Sequence, residues 1–484
     1  MIDVFPFSGF PIAVFGLGRS GLATALALQE SNAEVRAWDD DPKTRSIAED
    51  KGISLVDLYS CDWSQLTSLV VSPGVPIDYP AVHPIVAKAR EVNCEVIGDI
   101  ELLVRTQRWC GFIGITGTNG KSTTTTLLGH IMQLAGREAE VGGNLGIPVL
   151  SLDPLGADGT YVLEMSSYQL ELTPSATFDV AVLLNITADH LERHGGIDGY
   201  VQAKQRIFQR QTKPRTAILG VDDEICRRIY SDLGAADEQI VIPVSGSKPI
   251  KNGVYAVDGV LFDCIDGIET PICNLYENPS LLGSHNGQNA AAAYAAAKTA
   301  GVAPHAIMAC LKSYPGLVHR QEAVSIVDGV AYVNDSKATN DEAAARAIAC
   351  FDNIYWIVGG RPKEGDLSAC LPHLHRVRHA YLIGEAADSF SHIFDGVAPF
   401  TLSGDLTNAV KSAHNRAQTE AYLRPVVLFS PACASFDQYA NFEERGDAFK
   451  NIVNALPGTH VDPFEENGIF PGTVAVPKTS DLGA

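Results

Sequence analysis

Two glycine-rich clusters each follow an apolar run and open a helical pattern. The sharper one is Thr116-Gly117-Thr118-Asn119-Gly120-Lys121-Ser122-Thr123. Backbone N–H groups of such a loop cradle phosphate oxygens, a lysine neutralises the β/γ charge, and a serine hydroxyl can ligate Mg²⁺. It is not a strict Walker A sequence, because Ile115 stands where that pattern needs its first glycine. Phosphoryl transfer also calls for a metal. Glu164, in LEMSSYQLE, follows the run Tyr161–Leu163, and an acid at a strand end can hold Mg²⁺. His190, in NITADHLERHG, follows the next apolar run and falls on the same end of the sheet. Lys204, in YVQAKQRIF, reads by residue type alone as a surface helix lysine.

The second cluster is Gly16-x-Gly18-x-x-Gly21, with Asp39 placed 18 residues beyond Gly21. Its mechanism is a tight turn, close backbone approach to a pyrophosphate and an anion at a helix N-terminus. The spacing of Asp39 suits a ribose acid. The motif alone does not separate a dinucleotide from a nucleotide-sugar, and a glycine turn that only packs helix on sheet has the same pattern.

The elements around these clusters predict an α/β protein of three domains. Strands are expected at Pro11–Phe15, Glu34–Trp38, Ser68–Val71 and Glu95–Ile97, with a helix over Pro80–Val92 starting on its proline. A second unit starts near Trp109, with strands Cys110–Ile115, Tyr161–Leu163 and Val180–Leu184 and a helix running to Leu134. Short strands and turn signals over 215–282 predict a β-rich lobe, and Asn289–Thr299 a helix stopped by Gly301. A third unit carries strands at Val330–Asn334, Ile354–Val358, Ala380–Ile383 and Pro425–Phe429, between helices at Asp341–Cys350 and Thr407–Glu420. Alternating strand and helix implies parallel sheets. The expected architecture is an N-terminal Rossmann-like domain (1–108), a central P-loop ATPase-like α/β domain with the β-rich lobe (109–318) and a C-terminal Rossmann-like domain (319–484). The stretch after about Thr459, rich in Pro, Gly and acids, reads as a loosely held extension.

The 484 residues suit about three domains of ordinary core size. A net charge of −21 argues against nucleic-acid and anionic-membrane binding, which need basic surfaces. The 10 cysteines have no CxxC pair or metal-ligand spacing, so reduced thiols are expected. The start MIDVFPFSGF lacks a basic region followed by an apolar run, and no stretch has the length of a membrane span. A cytoplasmic protein without membrane insertion is expected.

Taken together, TGTNGKST, LEMSSYQLE, NITADHLERHG, the AKQRIF lysine, GSHNGQNAAAA, His319-Arg320 and NDSKATN resemble the ATP-dependent Mur ligases in order and spacing. The resemblance covers about residues 10 to 455. Within that family, GLGRSG, NDSKATN and SPACASFDQY look like the branch that adds D-glutamate. It implies that the first domain binds UDP rather than NAD, the second ATP and the third the incoming amino acid. The implied reaction joins D-glutamate to UDP-N-acetylmuramoyl-L-alanine through an acyl phosphate, releasing ADP and phosphate, in a monomeric enzyme.

The resemblance also implies roles for residues. Gly117, Thr118, Asn119, Gly120, Lys121, Ser122 and Thr123 contact the ATP phosphates, and Asn286, Asn289, Arg320 and Asp335 align with further ATP contacts. Ser122 and Glu164 hold one Mg²⁺; His190 and Lys204 hold a second, with Lys204 carbamylated by CO₂. Lys121, Glu164, His190 and Lys204 make up the catalytic set. Gly18, Arg19, Ser20, Ser72, Pro73, Gly74, Asn144 and His190 fall to the UDP substrate. Lys337, Thr339, Lys363, Ser435 and Phe442 fall to D-glutamate, whose two carboxylates suit cations and hydroxyls. Val318 stands where the family often has proline before His-Arg, and Lys363 is placed only by its distance from Gly359–Gly360. Two other classes fit parts of the chain: an NAD-dependent dehydrogenase built on Gly16–Gly21, and a non-catalytic ATP-binding switch. Folylpolyglutamate synthases share the central motifs.

Overall fold

The computed structural model describes residues 1–362, 367–420, 422 and 424–465. These residues form an α/β protein with three sheets, of four, nine and seven strands. Packing divides the chain into two compact units. The first comprises Met1–Val257, Leu261–Ile272 and Gln288–Cys310, and the second Asp258–Val260, Cys273–Gly287 and Leu311–Ala484.

The four-stranded sheet runs in the order Glu34–Trp38, Pro11–Phe15, Ser68–Val71, Glu95–Ile97, all parallel. The expected helix from Pro80 instead starts at Pro84, capped by His83. A residue before proline is pushed out of the α region, so a helix cannot run through His83 into Pro84.

In the nine-stranded sheet Gly111–Thr116 lies between Val180–Leu183 and Thr160–Glu164, parallel to both. The β-rich lobe expected over 215–282 is not separate. Thr216–Gly220 and Ile240–Ser245 pair parallel onto the same sheet, and Val254–Val257, Val260–Asp263 and Thr270–Asn274 continue it to the edge. Between them runs helix Glu224–Ala236, whose first turn is capped by the Asp223 carboxylate. The turn signals were real, but adjacent strands kept adding to one edge.

The first two sheets share a hydrophobic core. It includes Ile12, Val14 and Ile97 from one and Phe112, Leu163 and Leu183 from the other. Buried Glu101 fastens them further: it accepts from the backbone N–H groups of Ser175 and Ala176 and from the Ser175 hydroxyl, and pairs with Arg105 at 2.8 Å. Four acceptor sites on one carboxylate are thereby used, which is what a buried acid needs.

The seven-stranded sheet runs Phe400–Gly404, Val377–Ile383, Ile354–Gly359, Val426–Phe429, Val330–Asn334, Glu322–Val327, His460–Val461. The last two additions are antiparallel, against an expectation of parallel pairing throughout. The hairpin Glu322–Val327 to Val330–Asn334 turns at Asp328-Gly329, both with positive φ, a short connection that permits only antiparallel strands. His460–Val461 pairs with Glu322–Val327, so the chain just past Thr459 is held, contrary to expectation. From residue 466 onward that stretch lies outside the described residues. Among the described residues no helix is long and apolar enough to cross a membrane, and none of the ten cysteines is in a disulfide.

Candidate active site

The phosphate loop sits at the end of strand Gly111–Thr116 and opens helix Lys121–Leu134. Gly120 has φ 84°, and a Cβ there would collide with the Asn289 amide oxygen. Asn185, just past strand Val180–Leu183, clamps the loop. Its amide oxygen accepts from Asn119 N–H at 2.9 Å, its amide nitrogen donates to Asn119 O at 3.1 Å, and its carbonyl accepts from Thr118 N–H at 2.8 Å. Lys121 Nζ donates to the carbonyls of Gly117 and Thr118, at 2.9 and 2.8 Å. The start of the helix therefore carries an ammonium, the hydroxyls of Ser122 and Thr123, and the N–H groups of its first turn.

Lys204 is buried at the base of this loop, not on the surface. Its Nζ donates to Gly117 O at 2.9 Å and lies 4.7 Å from the centroid of the Tyr200 ring. Burial, with the Lys121 charge next, brings its pKa down to about 7. Glu164 ends strand Thr160–Glu164 and is buried. Its Oε1 accepts from the Asn144 amide at 2.7 Å, while Oε2 has no hydrogen-bond partner. His190 is exposed, with φ 50°, beside Asp189 at 3.5 Å and Tyr168 at 5.3 Å between ring centroids. A file of rings connects it with Lys204: Tyr168 packs on His194 and His194 on Tyr200, at 5.4 and 5.3 Å.

The first glycine loop turns on Gly16, with φ 85°, and a side chain on Gly21 would strike the Gly16 carbonyl. Ser72 Oγ donates to that carbonyl at 2.6 Å, so its hydroxyl braces the loop. Gly18, Arg19 and Gly74 are exposed beside it, with Ser20 and Pro73 half-buried. Asp39 does not stand as an open ribose acid. Its Oδ2 accepts from Leu17 N–H at 2.6 Å and its Oδ1 from Asp41 N–H at 2.8 Å. Asp40 takes Tyr59 and His83, and Asp41 caps helix Pro42–Asp50.

In the second unit Asp335 is buried at the end of strand Val330–Asn334. Ser430 Oγ donates to its Oδ2 at 2.7 Å and Gln321 N–H to its Oδ1 at 3.1 Å; burial pushes its pKa up to about 7. Arg320 lies between His319 and Gln321, both at positive φ. Asn286 donates to Leu282 O at 2.9 Å. Lys337 Nζ lies 5.0 Å from the centroid of the Phe442 ring, Ser435 is buried and Thr339 half-buried. Lys363 lies outside the described residues.

The Mur ligase middle domain model matches residues 115–297. The chain is 47% identical over 464 residues to the UDP-N-acetylmuramoylalanine–D-glutamate ligase of Rhodospirillum rubrum, covering 95% of this chain and 97% of that protein. It is 48% identical over 462 residues to the enzyme of that name from Caulobacter sp. strain K31, covering 94% and 98%. The chain belongs to the Mur ligase family. Its fold agrees: a UDP-N-acetylmuramate–alanine ligase structure from Thermotoga maritima matches with a TM-score of 0.54 at 15% identity, over 92% of this chain and 99% of that one.

A Mur ligase is ATP-dependent, and the residues fit a hard cation. Glu164 Oε2 is a buried carboxylate oxygen without a partner. Among the described residues no three His, Cys, Asp or Glu side chains gather as a metal cluster. A Mg²⁺ here would be held by Glu164 and Ser122 and take its other ligands from phosphate and water oxygens, the hard donors it prefers. Sequence reasoning missed Asn185 and Tyr200. Asn185 was visible as a polar residue at a strand end in NITADH, and Tyr200 as the i−4 neighbour of Lys204 on one helix face.

Proposed function

We propose that this chain joins D-glutamate to UDP-N-acetylmuramoyl-L-alanine in peptidoglycan precursor synthesis, consuming ATP. What carries the reading is the phosphate loop with a buried lysine and a half-satisfied carboxylate at its base; the names of its relatives supply the substrates. The L-alanine carboxylate attacks the γ-phosphorus of ATP, ADP leaves, and an acyl phosphate forms. Lys121 and the loop N–H groups stabilise the charge on the transferring group. The D-glutamate amine then attacks the acyl carbon and phosphate leaves. That amine must be neutral, so a base accepts its proton, with His190 the candidate.

Ser122 and Glu164 would hold one Mg²⁺, and His190 with a carbamylated Lys204 a second; bound there, the metal supplies positive charge to the phosphate oxygens. Lys204 is suited to carbamylation. A pKa of about 7 leaves much of its amine neutral, and that nitrogen attacks the carbon of CO₂ with release of a proton. The N-terminal residues to about 108 take the UDP moiety through the Gly16–Gly21 loop, with Ser72–Gly74 and Asn144. Asn286, Asn289, Arg320 and Asp335 take the rest of ATP, and Lys337, Thr339, Lys363, Ser435 and Phe442 take D-glutamate. Residues 109–318 and 319–484 form the other two working domains of a cytoplasmic monomer. Asp39, with one oxygen taken by Leu17 N–H of the glycine loop and the other by Asp41 N–H, favours a nucleotide-sugar over NAD at the first glycine loop.

Substrate labelled with ¹⁸O in the alanine carboxylate tests the chemistry. Label in the released phosphate is expected; unlabelled phosphate would rule out the acyl phosphate.

A further inference from the structure

One buried cation in the second unit has no carboxylate at ion-pair distance among the described residues; the opposite charge acting on it, Asp437, does so from farther off. Arg445 stands in the first turn of helix Phe442–Asn454 and is 2% exposed. Its guanidinium donates to three uncharged acceptors: Cys433 O at 3.0 Å, Ser336 O at 2.7 Å and Ser336 Oγ at 3.1 Å. Burial lowers its pKa to about 10, which leaves it protonated at neutral pH. A buried charge is normally paired, because desolvation costs more than neutral acceptors return.

The acceptors show what the charge organises. Ser336 directly precedes Lys337, and its hydroxyl also donates to Phe442 O at 2.8 Å. Cys433 lies two residues before Ser435 in the SPACAS loop. A Cβ on Gly360 would come within 2.5 Å of Ala434 O and 3.1 Å of Arg445 Nη1, so the chain at Gly360 is confined against the same guanidinium. Arg361 and Ala434 exchange both backbone hydrogen bonds, at 2.9 and 3.0 Å. Lys337 and Phe442 meet as cation and ring face. Four segments thus converge on one fork of N–H donors, a geometry that lysine cannot reproduce.

We propose that Arg445 is the positioning residue of the amino-acid pocket. It locks the Lys337, Gly360, Ser435 and Phe442 segments together, and its positive charge, held only by neutral acceptors, biases the pocket toward a doubly anionic amino acid. The inference rests on the D-glutamate reading above. Arg445 touches no substrate; it acts through Ser336 and Cys433 and through the field of a charge that is itself buried.

The test is steady-state phosphate release by the full-length enzyme and its Arg445→Met and Arg445→Lys variants, each checked for a cooperative thermal melt. In Arg445→Met the KM for D-glutamate rises on the order of ten- to a hundredfold, the size of a lost charge-assisted contact. The KM values for ATP and the UDP substrate stay within about twofold. The preference for D-glutamate over D-glutamine falls about tenfold, because the second carboxylate no longer lies in the field of that charge. Arg445→Lys keeps most of that preference while its KM for D-glutamate still rises. A brace with no electrostatic role would leave the preference unchanged in both variants, and that result overturns the proposal. If Arg445→Met does not fold, Arg445→Lys decides: an unchanged KM for D-glutamate overturns the positioning role. A wild-type enzyme whose turnover ignores D-glutamate would overturn the functional reading and this inference together. Normal D-glutamate dependence with unaltered variants would overturn this inference alone.

Discussion

Lys204 lies buried under the phosphate loop, its Nζ donating to the Gly117 carbonyl. By residue type it is a helix lysine bound for solvent, and only the resemblance of AKQRIF to a known motif gave it a role. The structure turns it inward, because Tyr200 and Lys204 share one face of helix Ile197–Gln205 and that face packs under the phosphate loop. No periodicity signals that, since the burial comes from a neighbouring strand and loop. Its pKa is lowered in the folded state, so the native protein binds fewer protons than the unfolded chain between about pH 7 and 10.5. Stability contributed at this position must therefore rise with pH across that window, by at most about 1.4 kcal/mol per pH unit. Melting wild type and Lys204→Met in CO₂-free buffer from pH 6 to 9 should show the wild type gaining on the variant as pH rises. At the same residue, Lys204→Ala should lose activity and recover part of it with a short-chain carboxylate; full activity without additive would remove the carbamate. Glu164→Ala, which deletes a buried carboxylate oxygen without a hydrogen-bond partner, should lower kcat about a hundredfold or more. Unchanged Mg²⁺ dependence in that variant would contradict its assignment.

Helix Lys121–Leu134 and the strand ends beside it form the element that matters most. Its glycine pattern was legible because only glycine accepts φ 84° against the Asn289 amide. Gly120→Ala combines a left-handed backbone with a collision, so it should cost about 1–3 kcal/mol of stability and abolish ATP binding by calorimetry. Asn185→Ala removes two side-chain hydrogen bonds to Asn119 and should raise the KM for ATP about tenfold with a smaller change in Tm. Elsewhere the strands of the parallel sheets could be read from continuous apolar runs, since they are buried on both faces. Glu322–Val327 could not, because a charged first residue and Ser325 interrupt its apolar pattern. Nor could the joining of the 215–282 strands to the central sheet, which depends on edge pairing far along the chain.

At the scale of the whole molecule, a net charge of −21 coexists with cationic groups at each proposed anion site. Lys121 and Lys204 stand at the phosphate loop in the first unit, and Lys337 and Arg445 at the SPACAS and NDSKATN segments in the second. Net charge describes the solvated exterior and is silent about such local fields. The N-terminal and central sheets share one core, so a cut near residue 108 would expose Ile12, Val14 and Phe112 rather than release two independent domains. Separate expression of 1–108 should accordingly give a poorly folded product, checked by the absence of a cooperative melt. The proposed reaction is tested by phosphate release in the presence of ATP, Mg²⁺ and UDP-N-acetylmuramoyl-L-alanine across a panel of amino acids. The account predicts release that depends on D-glutamate and falls to background with L-glutamate, meso-diaminopimelate or L-lysine. Release without any amino acid, or stronger release with one of the others, would contradict it.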